Sequence, residues 1–370
     1  MGLRKKGLSA RQVSHGTADV PVVLTQAHLE QIRFLVPSEE VIVEAQWTKM
    51  KLRILVFSGR RRRGDPLEIS KMNLSVRILF VLSLTGFGML NAGDLKSGEY
   101  TISQSWIQER SFERLYLVSV PEGRKGKRPV VIFLHGGGGN ARGAFKGFMR
   151  RHRVMARHYI VICPEGYSRG WNIVSERSKA DDRGFIEEII KRVAEHDNVQ
   201  RENFSIIGSS NGAALVNQLA IECRLPNIRN YVSGVSPLNV YQHDGKAFKA
   251  KGPNNTYRNA VVPMKGKRLM NISGTEDHLV PYAGGLSRAI PAKGGKLGFV
   301  HAEHSTYLWA KAMGYEGEKL TKPSEVEGNL EKFSYLDGAV VHYKVKGEGH
   351  GAMGAIREDR LLSFLEGGEK

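Results

Sequence analysis

The sequence predicts an α/β protein with a doubly wound, mainly parallel sheet and antiparallel strands at its N-terminal side. Between residues 128 and 365, short apolar runs of the kind buried in parallel sheets alternate with segments of helical period. One apolar run breaks at a turn rich in glycine and serine, residues 208–212, and continues as a helix-like segment. Strands that alternate with helices over this length specify such a sheet.

The first 71 residues are predicted to lie outside the folded domain. They hold short apolar stretches with no sustained period and a run of four arginines at residues 60–63. Two interpretations stay open for residues 1–71. They are a disordered basic arm, or a non-native upstream extension of a protein whose translation begins at Met72.

Residues 72–92 have the order of a secretory signal peptide. A short charged stretch precedes the apolar run ILFVLSLTGFGML, and the small residues Asn91-Ala92-Gly93 follow it. The apolar run is too short to span a bilayer. The alternative is a buried core helix at residues 78–90 behind a genuine N-terminal extension. The signal interpretation predicts a secreted or periplasmic protein whose folded domain spans residues 93–370.

The strands and helices of that domain are predicted from the spacing of apolar residues and from the turn and capping residues between them. Residues 101–108 and 114–120 predict an antiparallel pair, and Asp181-Asp182 can cap the helix that follows them. Later strands are predicted at residues 130–134, 159–163, 204–208, 230–236, 268–273 and 339–345, and helices at 144–158, 183–196, 213–223, 301–313 and 353–365. Residues 237–266 show no clear period and predict an excursion above the sheet.

Composition excludes several classes of function. The formal charge is +18, but the basic residues are scattered and no nucleic-acid-binding motif is present. Cys163 and Cys223 are the only cysteines and belong to no C-x-x-C pair, which excludes a zinc ribbon or a thioredoxin-like site. They are predicted to be two separate buried thiols, with one bridge between them as the alternative.

The turn at residues 208–212 predicts a nucleophilic serine. Such a turn holds its tip serine in a strained conformation, so the positions two before and two after must be small. Gly208 and Gly212 meet this requirement around Ser210. The same spacing recurs at residues 166–170, but no amphipathic helix follows there, so Ser168 is predicted to be a loop residue.

A serine nucleophile needs a base, and the base needs an acid to orient it. Asp277 follows the predicted strand 268–273, and His350 lies in a glycine-rich loop after the strand 339–345. Asp277 is preferred to Glu276, because successive side chains at the end of a strand point in opposite directions. A plain turn, in which Asp277 bonds only its own backbone, is the alternative.

Three other histidines fit the function of the catalytic base less well than His350. His342 lies inside a predicted strand, and His301 and His304 form a metal-like pair without the H-E-x-x-H pattern. The site therefore predicts no metal and no organic cofactor.

Glycines after a central strand predict an oxyanion hole. His135 is followed by four glycines, residues 136–139, which let backbone N–H groups approach a developing negative charge. The N–H of Asn211 and one N–H from Gly136 or Gly137 are the predicted donors. A phosphate cradle is excluded, because no G-K-[ST] follows and the dinucleotide-binding context is absent.

Over about residues 111–365 the chain resembles the secreted polyhydroxybutyrate-depolymerase-like esterases, which are similar to feruloyl and acetylxylan esterases of the α/β-hydrolase superfamily. The resemblance rests on VVIFLHGGGGN, PEGYSRGWN, ADDRGF, GSSNGA, GTEDHLVPYAGG and the loop at His350. It implies the α/β-hydrolase fold and the triad Ser210, Asp277 and His350. It also implies that Trp171 and Asn172 line a substrate pocket, with core packing of Trp171 as the alternative.

Together these features predict a secreted serine esterase. Its expected substrates are feruloyl or acetyl esters on polysaccharide, or short hydroxyalkanoate esters. A peptidase on the same scaffold and a catalytically silent module that binds glycan or polymer are the alternatives. No nucleic-acid partner and no stable membrane span are expected, and the sequence does not fix the oligomeric state.

Overall fold

The computed structural model describes residues 93–123 and 126–368, together with the backbone of residues 41–48 and 51–58. The chain divides into two compact units, Met1–Ser83 and Leu84–Lys370. In the first unit, β1 (Val41–Thr48) pairs with β2 (Lys51–Ser58) as an antiparallel hairpin that the sequence pattern does not predict. The predicted signal peptide, residues 72–92, lies outside the described residues, as does most of the predicted extension, and both stay predictions.

The second unit is built on a ten-stranded sheet with the strand order β12-β13-β14-β9-β8-β7-β5-β6-β4-β3. Its strands are β3 (Gly98–Trp106), β4 (Glu109–Ser119), β5 (Arg128–Leu134), β6 (Ile160–Pro164), β7 (Val199–Ser209), β8 (Ile228–Gly234), β9 (Arg268–Gly274), β12 (Glu325–Glu327), β13 (Leu330–Tyr335) and β14 (Val340–Val345). The six strands from β14 to β6 run parallel, and antiparallel pairs flank them on both sides. The predicted fold class is confirmed, including the antiparallel N-terminal strands.

In the described part of the chain, six α-helices cover the two faces of this sheet. They are α1 (Ala141–Arg151), α2 (Arg153–His158), α3 (Asp182–Ala194), α4 (Asn211–Glu222), α5 (Ala302–Met313) and α6 (Glu358–Glu366). Helices α3, α4 and α5 contribute to one buried apolar cluster, and α1, α2 and α6 contribute to a second. Successive residues of the central strands alternate between the clusters: Ile132 and Ile206 belong to the first, Val131 and Ile207 to the second. A strand buried on both faces must be apolar throughout, which explains the continuous apolar runs.

The two cysteines are separate buried thiols. Cys223 packs in the cluster of α3, α4 and α5, whereas Cys163 packs in the cluster on the other face. Burial raises the pKa of both thiols. The prediction of two unbridged thiols agrees with this placement.

Two hairpins and two helices differ from the predictions. The helix predicted at residues 353–365 begins only at Glu358, after a short 3-10 turn at Ala352–Ala355. β10 (Gly285–Ala292) pairs with β11 (Gly295–Phe299), and β12 pairs with β13, in segments whose mixed polar sequence shows no clean alternation. The single helix predicted at residues 144–158 is interrupted at His152, whose side chain is buried and packs on Phe148. The chain can restart as α2 because Glu358 accepts the Met155 N–H.

The carboxyl ends of the parallel strands meet at one edge of the sheet, where loops after β5, β6, β7, β9 and β14 lie side by side. Across residues 93–123 and 126–368, none of the helices combines the length and apolar character that a bilayer crossing requires.

Candidate active site

The turn between β7 and α4 places Ser210 at its tip in a backbone conformation that side chains rarely adopt, with φ 53° and ψ −118°. The neighbouring glycines permit the turn. A Cβ on Gly208 would lie 2.5 Å from the Gly212 carbonyl, and one on Gly212 would overlap the carbonyl oxygens of Leu134 and His135. Only glycine therefore fits at either position, which is the physical basis of the sequence pattern.

A chain of hydrogen bonds joins the three residues predicted as a triad. His350 Nε2 lies 2.8 Å from Ser210 Oγ, and His350 Nδ1 lies 2.7 Å from Asp277 Oδ2. Because a carboxylate only accepts, Nδ1 carries the proton, and Nε2 is free to accept the serine proton. This arrangement can convert a weakly nucleophilic hydroxyl into an attacking group.

Asp277 is nearly inaccessible, with 2% of its side chain exposed, whereas 30% of the His350 side chain is exposed. The second carboxylate oxygen of Asp277 accepts the N–H groups of Leu279 and Val280 at 2.9 and 2.8 Å. The turn weighed as an alternative is therefore present, and it leaves Oδ2 free to hold the histidine. Neighbouring Glu276 is exposed to solvent.

The loops that carry Asp277 and His350 are packed against each other. They follow β9 and β14, which are adjacent parallel strands. The Glu276 N–H donates to Glu348 O at 2.9 Å, and the Gly347 N–H donates to Thr275 Oγ1 at 2.9 Å. A Cβ on Gly274 would lie 2.5 Å from Gly349 O, so this close approach requires glycine. These contacts fix the separation of the acid and the base.

The glycine-rich loop after β5 lies beside the nucleophile. A Cβ on Gly136 would lie 3.6 Å from Ser210 Cβ, and one on Gly137 would lie 3.6 Å from Asn211 Cβ. The N–H groups of Gly136 and Gly137 donate to no acceptor in the part of the chain that the structure describes. The N–H of Asn211 is the first of α4, where backbone donors have no partner within the helix. Three backbone N–H donors without an acceptor among the described residues therefore belong to the two segments that meet at Ser210.

His135 anchors this loop, a function that the sequence pattern does not reveal. Its ring is buried, Nδ1 lies 2.8 Å from Gly136 O, and Nε2 lies 3.0 Å from the Gly166 N. A carbonyl only accepts and a backbone N–H only donates, so the neutral ring with the proton on Nδ1 satisfies both partners. Burial also lowers the pKa of His135, which keeps the ring neutral.

Trp171 and Asn172, predicted to line a substrate pocket, are buried. The Trp171 indole N–H donates to His135 O at 2.8 Å. The Asn172 amide donates to Ala180 O at 3.1 Å, and its oxygen accepts from Asn255 at 2.7 Å. Both side chains hold internal structure, as the core-packing alternative for Trp171 expects. Contact with substrate at these residues stays a prediction.

The Asn211 side chain is also held. Its Oδ1 accepts the Trp171 N–H at 2.7 Å, and its Nδ2 donates to Trp171 O at 3.1 Å and to Glu176 Oε1 at 3.3 Å. The second oxygen of Glu176 accepts the N–H groups of Ile173 and Val174. No sequence signal distinguishes Glu176 from a loop carboxylate, because its partners come from distant parts of the chain.

The other histidines weighed in the sequence, His301, His304 and His342, take no part in the hydrogen-bond chain of Ser210. His342 is fully buried between Tyr282 and Asn271, and burial lowers its pKa to about 3. His301 and His304 lie at the start of α5. Among the described residues, no group of three His, Cys, Asp or Glu side chains could hold a metal ion.

No protein-family model matches the chain. Two proteins with similar sequences are both named esterases. The chain is 24% identical to feruloyl esterase B of Piromyces equi over 235 residues, 61% of this chain and 40% of that protein. It is 29% identical to an acetylxylan esterase of Coprinopsis cinerea over 138 residues, 35% of this chain and 36% of that protein. The chain thus matches well under half the length of either relative.

Among solved structures, the acetyl xylan esterase from Aspergillus awamori aligns with a TM-score of 0.51 at 13% identity, over 73% of this chain and 99% of that chain. The chain has the α/β-hydrolase fold. In sequence it resembles a feruloyl-esterase-like group within that fold. In an α/β-hydrolase, the turn after the central strand is the place where a nucleophile stands exposed at the carboxyl edge of the sheet.

Proposed function

We propose that this α/β-hydrolase is a serine esterase that cleaves carboxylic esters through an acyl-enzyme on Ser210. The observation that carries the proposal is the hydrogen-bond chain from Ser210 Oγ through His350 to Asp277, with distances of 2.8 and 2.7 Å. The names of the sequence relatives, a feruloyl esterase and an acetylxylan esterase, support the same reaction class.

In the proposed reaction, Ser210 Oγ attacks the ester carbonyl carbon while His350 Nε2 takes its proton. The tetrahedral intermediate collapses when the C–O bond to the alcohol breaks, and His350 returns the proton to the leaving oxygen. Water then attacks the acyl-enzyme, again giving its proton to Nε2, and the carboxylic acid leaves as Ser210 recovers its hydrogen. Asp277 holds the ring and stabilises the imidazolium in both halves of the reaction.

The negative oxygen of each intermediate is proposed to bind the N–H of Asn211 together with that of Gly136 or Gly137. Backbone donors fixed before the reaction stabilise developing charge without reorganisation. The support for this assignment is that both glycines lie against Ser210 and Asn211 and that their N–H groups lack acceptors. The hydrogen bonds of His135 hold the loop in place.

The proposed substrates are feruloyl or acetyl esters on a polysaccharide, with short hydroxyalkanoate esters as the second class. The first class follows from the names of the relatives, and the second follows from the resemblance to polyhydroxybutyrate-depolymerase-like esterases. The signal-like residues 72–92 place the enzyme outside the cytoplasm in this proposal.

Hydrolysis of p-nitrophenyl acetate, butyrate and octanoate tests the proposal. We expect turnover by the wild-type protein and a loss of about five to six orders of magnitude in kcat for Ser210→Ala. Ser168→Ala is the matched control, because Ser168 lies in the second G-x-S-x-G sequence, and it should retain turnover of these small esters. Equal activity of the wild type and Ser210→Ala would overturn the assignment.

A further inference from the structure

The hairpin of β3 and β4 extends past the carboxyl edge of the sheet and carries an aromatic cluster. Only Tyr116 to Ser119 of β4 pair with β6, so the half of the hairpin that includes its turn projects beyond that strand. Trp106 and Phe112 on this half contact each other and the ring of Tyr167, with centroid distances of 4.9 to 5.6 Å. We call Trp106, Phe112 and Tyr167 the aromatic platform.

The platform remains accessible, which is unusual for three large rings. Phe112 is 38% exposed, and Trp106 and Tyr167 are partly exposed. Exposed apolar surface rimmed by polar residues is typical of interaction sites and ligand-binding grooves. The polar groups here include the Tyr167 hydroxyl, which donates to Glu109 at 2.5 Å, and the Trp106 indole N–H, which donates to Gln108 at 3.2 Å.

A cavity of about 280 Å³ lies between the platform and the loop after β6. Its lining includes Phe112 and Tyr167 from the platform. Its charged lining consists of two acids and two bases: Glu113, Arg114, Glu165 and Arg169. This volume is close to the lower end of small-molecule sites, roughly 300 to 1,000 Å³, which suits a single ring.

The charge of the lining decides the class of ligand. Arg114 is paired with Asp182 at 2.7 Å, so its charge is compensated, and the charge of Arg169 is outnumbered by those of Glu113 and Glu165 in the lining. Exposed Glu113 would repel a polyanion. Apolar ring faces beside neutral and balanced polar groups match a neutral pyranose, which has C–H faces and hydroxyl edges.

The loop that lines the cavity is hydrogen-bonded to the glycine-rich loop of the candidate active site. Arg169 O accepts the Gly138 N–H at 2.8 Å, and Gly138 follows the proposed oxyanion donor Gly137. Gly166, also in the lining, donates its N–H to His135. A ligand that occupies the cavity while its ester reaches Ser210 must span this loop, so it must be longer than a simple alkyl or aryl ester.

We propose that the aromatic platform and its cavity form a subsite for a neutral pyranose ring of the polysaccharide that carries the ester. This inference rests on the proposed function and selects polysaccharide esters over short hydroxyalkanoate esters. The subsite binds the chain on which the ester sits, while the triad acts on the acyl group.

The first test compares acetylated xylo-oligosaccharide with p-nitrophenyl acetate as substrates. Trp106→Ala and Phe112→Ala should each raise KM for the oligosaccharide about three- to tenfold, with kcat and the kinetics on p-nitrophenyl acetate unchanged. Trp106→Phe should restore most of the loss. Ile107→Ala, at the 85% exposed turn of the same hairpin and outside the platform's ring contacts, is the matched control. An unchanged KM, or an equal loss on both substrates, would overturn the subsite.

The second test measures binding without turnover. Affinity electrophoresis in acetylated xylan should retard Ser210→Ala, and Ser210→Ala combined with Trp106→Ala should migrate faster. A preference for polygalacturonate over xylan would refute the neutral-sugar assignment. If the wild type hydrolyses no ester, the proposed function fails, but this binding measurement still decides whether the sugar subsite exists.

Discussion

At the scale of single residues, the site requires glycines, because they have no Cβ and leave room for neighbouring backbone. Ser210 can occupy its tip conformation only because Gly208 and Gly212 leave room for the crossing backbone. The G-x-S-x-G sequence could therefore be predicted as a nucleophile turn, since its spacing records a steric requirement. Asp277 and His350 could be proposed as its partners because they follow strand-like runs in the order expected of α/β-hydrolases, and their catalytic function stays a prediction.

We expect Gly208→Ala to destabilise the protein by about 3 kcal/mol or to prevent its folding, because the added Cβ would lie 2.5 Å from backbone atoms. Gly147→Ala is the matched control. A Cβ at Gly147, a half-buried position of α1, meets no atom within 4 Å, and alanine favours helix by about 0.5–1 kcal/mol. Urea unfolding of both variants measures the two effects. Similar stability of Gly208→Ala and the wild type would contradict the steric argument.

We expect Asp277→Asn to lower kcat on p-nitrophenyl butyrate by about three to four orders of magnitude with little change in KM. The amide of asparagine can present a donor to His350 Nδ1, which favours the tautomer that cannot accept the serine proton. Glu276→Gln, an exposed neighbour of Asp277, should leave kcat within a few-fold of the wild type. Steady-state kinetics checks both, and comparable losses in the two variants would refute the choice of acid.

At the scale of elements, the parts of the site that escaped prediction depend on contacts between distant segments. His135 holds the oxyanion loop through Gly166, and Glu176 supports Asn211 from 35 residues away. Glu176 belongs to no local pattern, and the motif that contains His135 does not reveal its distant partner Gly166, so periodicity and spacing could not assign these contacts. Asp181 caps α3 as predicted, through a 3.0 Å bond from the Gly184 N–H, but the function of Asp182 is different.

Asp182 forms a buried ion pair that joins α3 to β4. Arg114 and Asp182 are 1% and 0% exposed, and the guanidinium also lies 4.0 Å from the centre of the Phe185 ring. We expect Arg114→Leu to destabilise the fold by about 3–5 kcal/mol, because it leaves the Asp182 carboxylate buried without a counter-charge.

The matched control for Arg114→Leu is Arg192→Leu, which removes the exposed ion pair of Arg192 with Glu188 in the same helix. An exposed pair contributes about 0–1 kcal/mol, so this variant should unfold close to the wild type. Chemical denaturation of both proteins gives the comparison. A loss below about 1 kcal/mol for Arg114→Leu would show that the ion pair is not structural.

At the scale of the whole molecule, the parallel centre of the sheet was predictable and its edges were less so. A strand with both faces buried, such as β5, must be apolar throughout, and that run is visible in the sequence. Strands β10 and β12, one in each of the two extra hairpins, are largely exposed and carry charged and small residues, so their alternation is obscured. The break at His152 depends on Glu358, two hundred residues further on, which no local rule can detect.

Acid stability is a property of the whole fold to which buried His342 should contribute, together with buried His152, whose pKa burial lowers to about 4. Burial lowers the pKa of His342 to about 3 from an ordinary value near 6.5. Between about pH 6.5 and pH 3, the unfolded chain therefore binds a proton at this residue that the native state does not. The free energy of unfolding should therefore fall as the pH drops from about 6.5 toward 3, by up to about 1.4 kcal/mol per pH unit from this residue.

Urea unfolding of the wild type and His342→Gln at pH 4, 5, 6 and 7 tests this expectation. Glutamine does not titrate, so the variant should be less stable at pH 7 but should lose less stability with acid than the wild type. Parallel pH profiles for the two proteins would show that His342 does not carry the linkage.

The central claim is that Ser210 becomes acylated during ester hydrolysis, and one measurement addresses it directly. The protein is mixed with p-nitrophenyl butyrate, stopped with acid during turnover and digested, and the peptides are analysed by mass spectrometry. We predict a butyryl group on Ser210 of the peptide that spans β7 and α4, and no such adduct in Ser210→Ala. Ester turnover without an adduct on Ser210, or with the adduct on another side chain, would contradict the account.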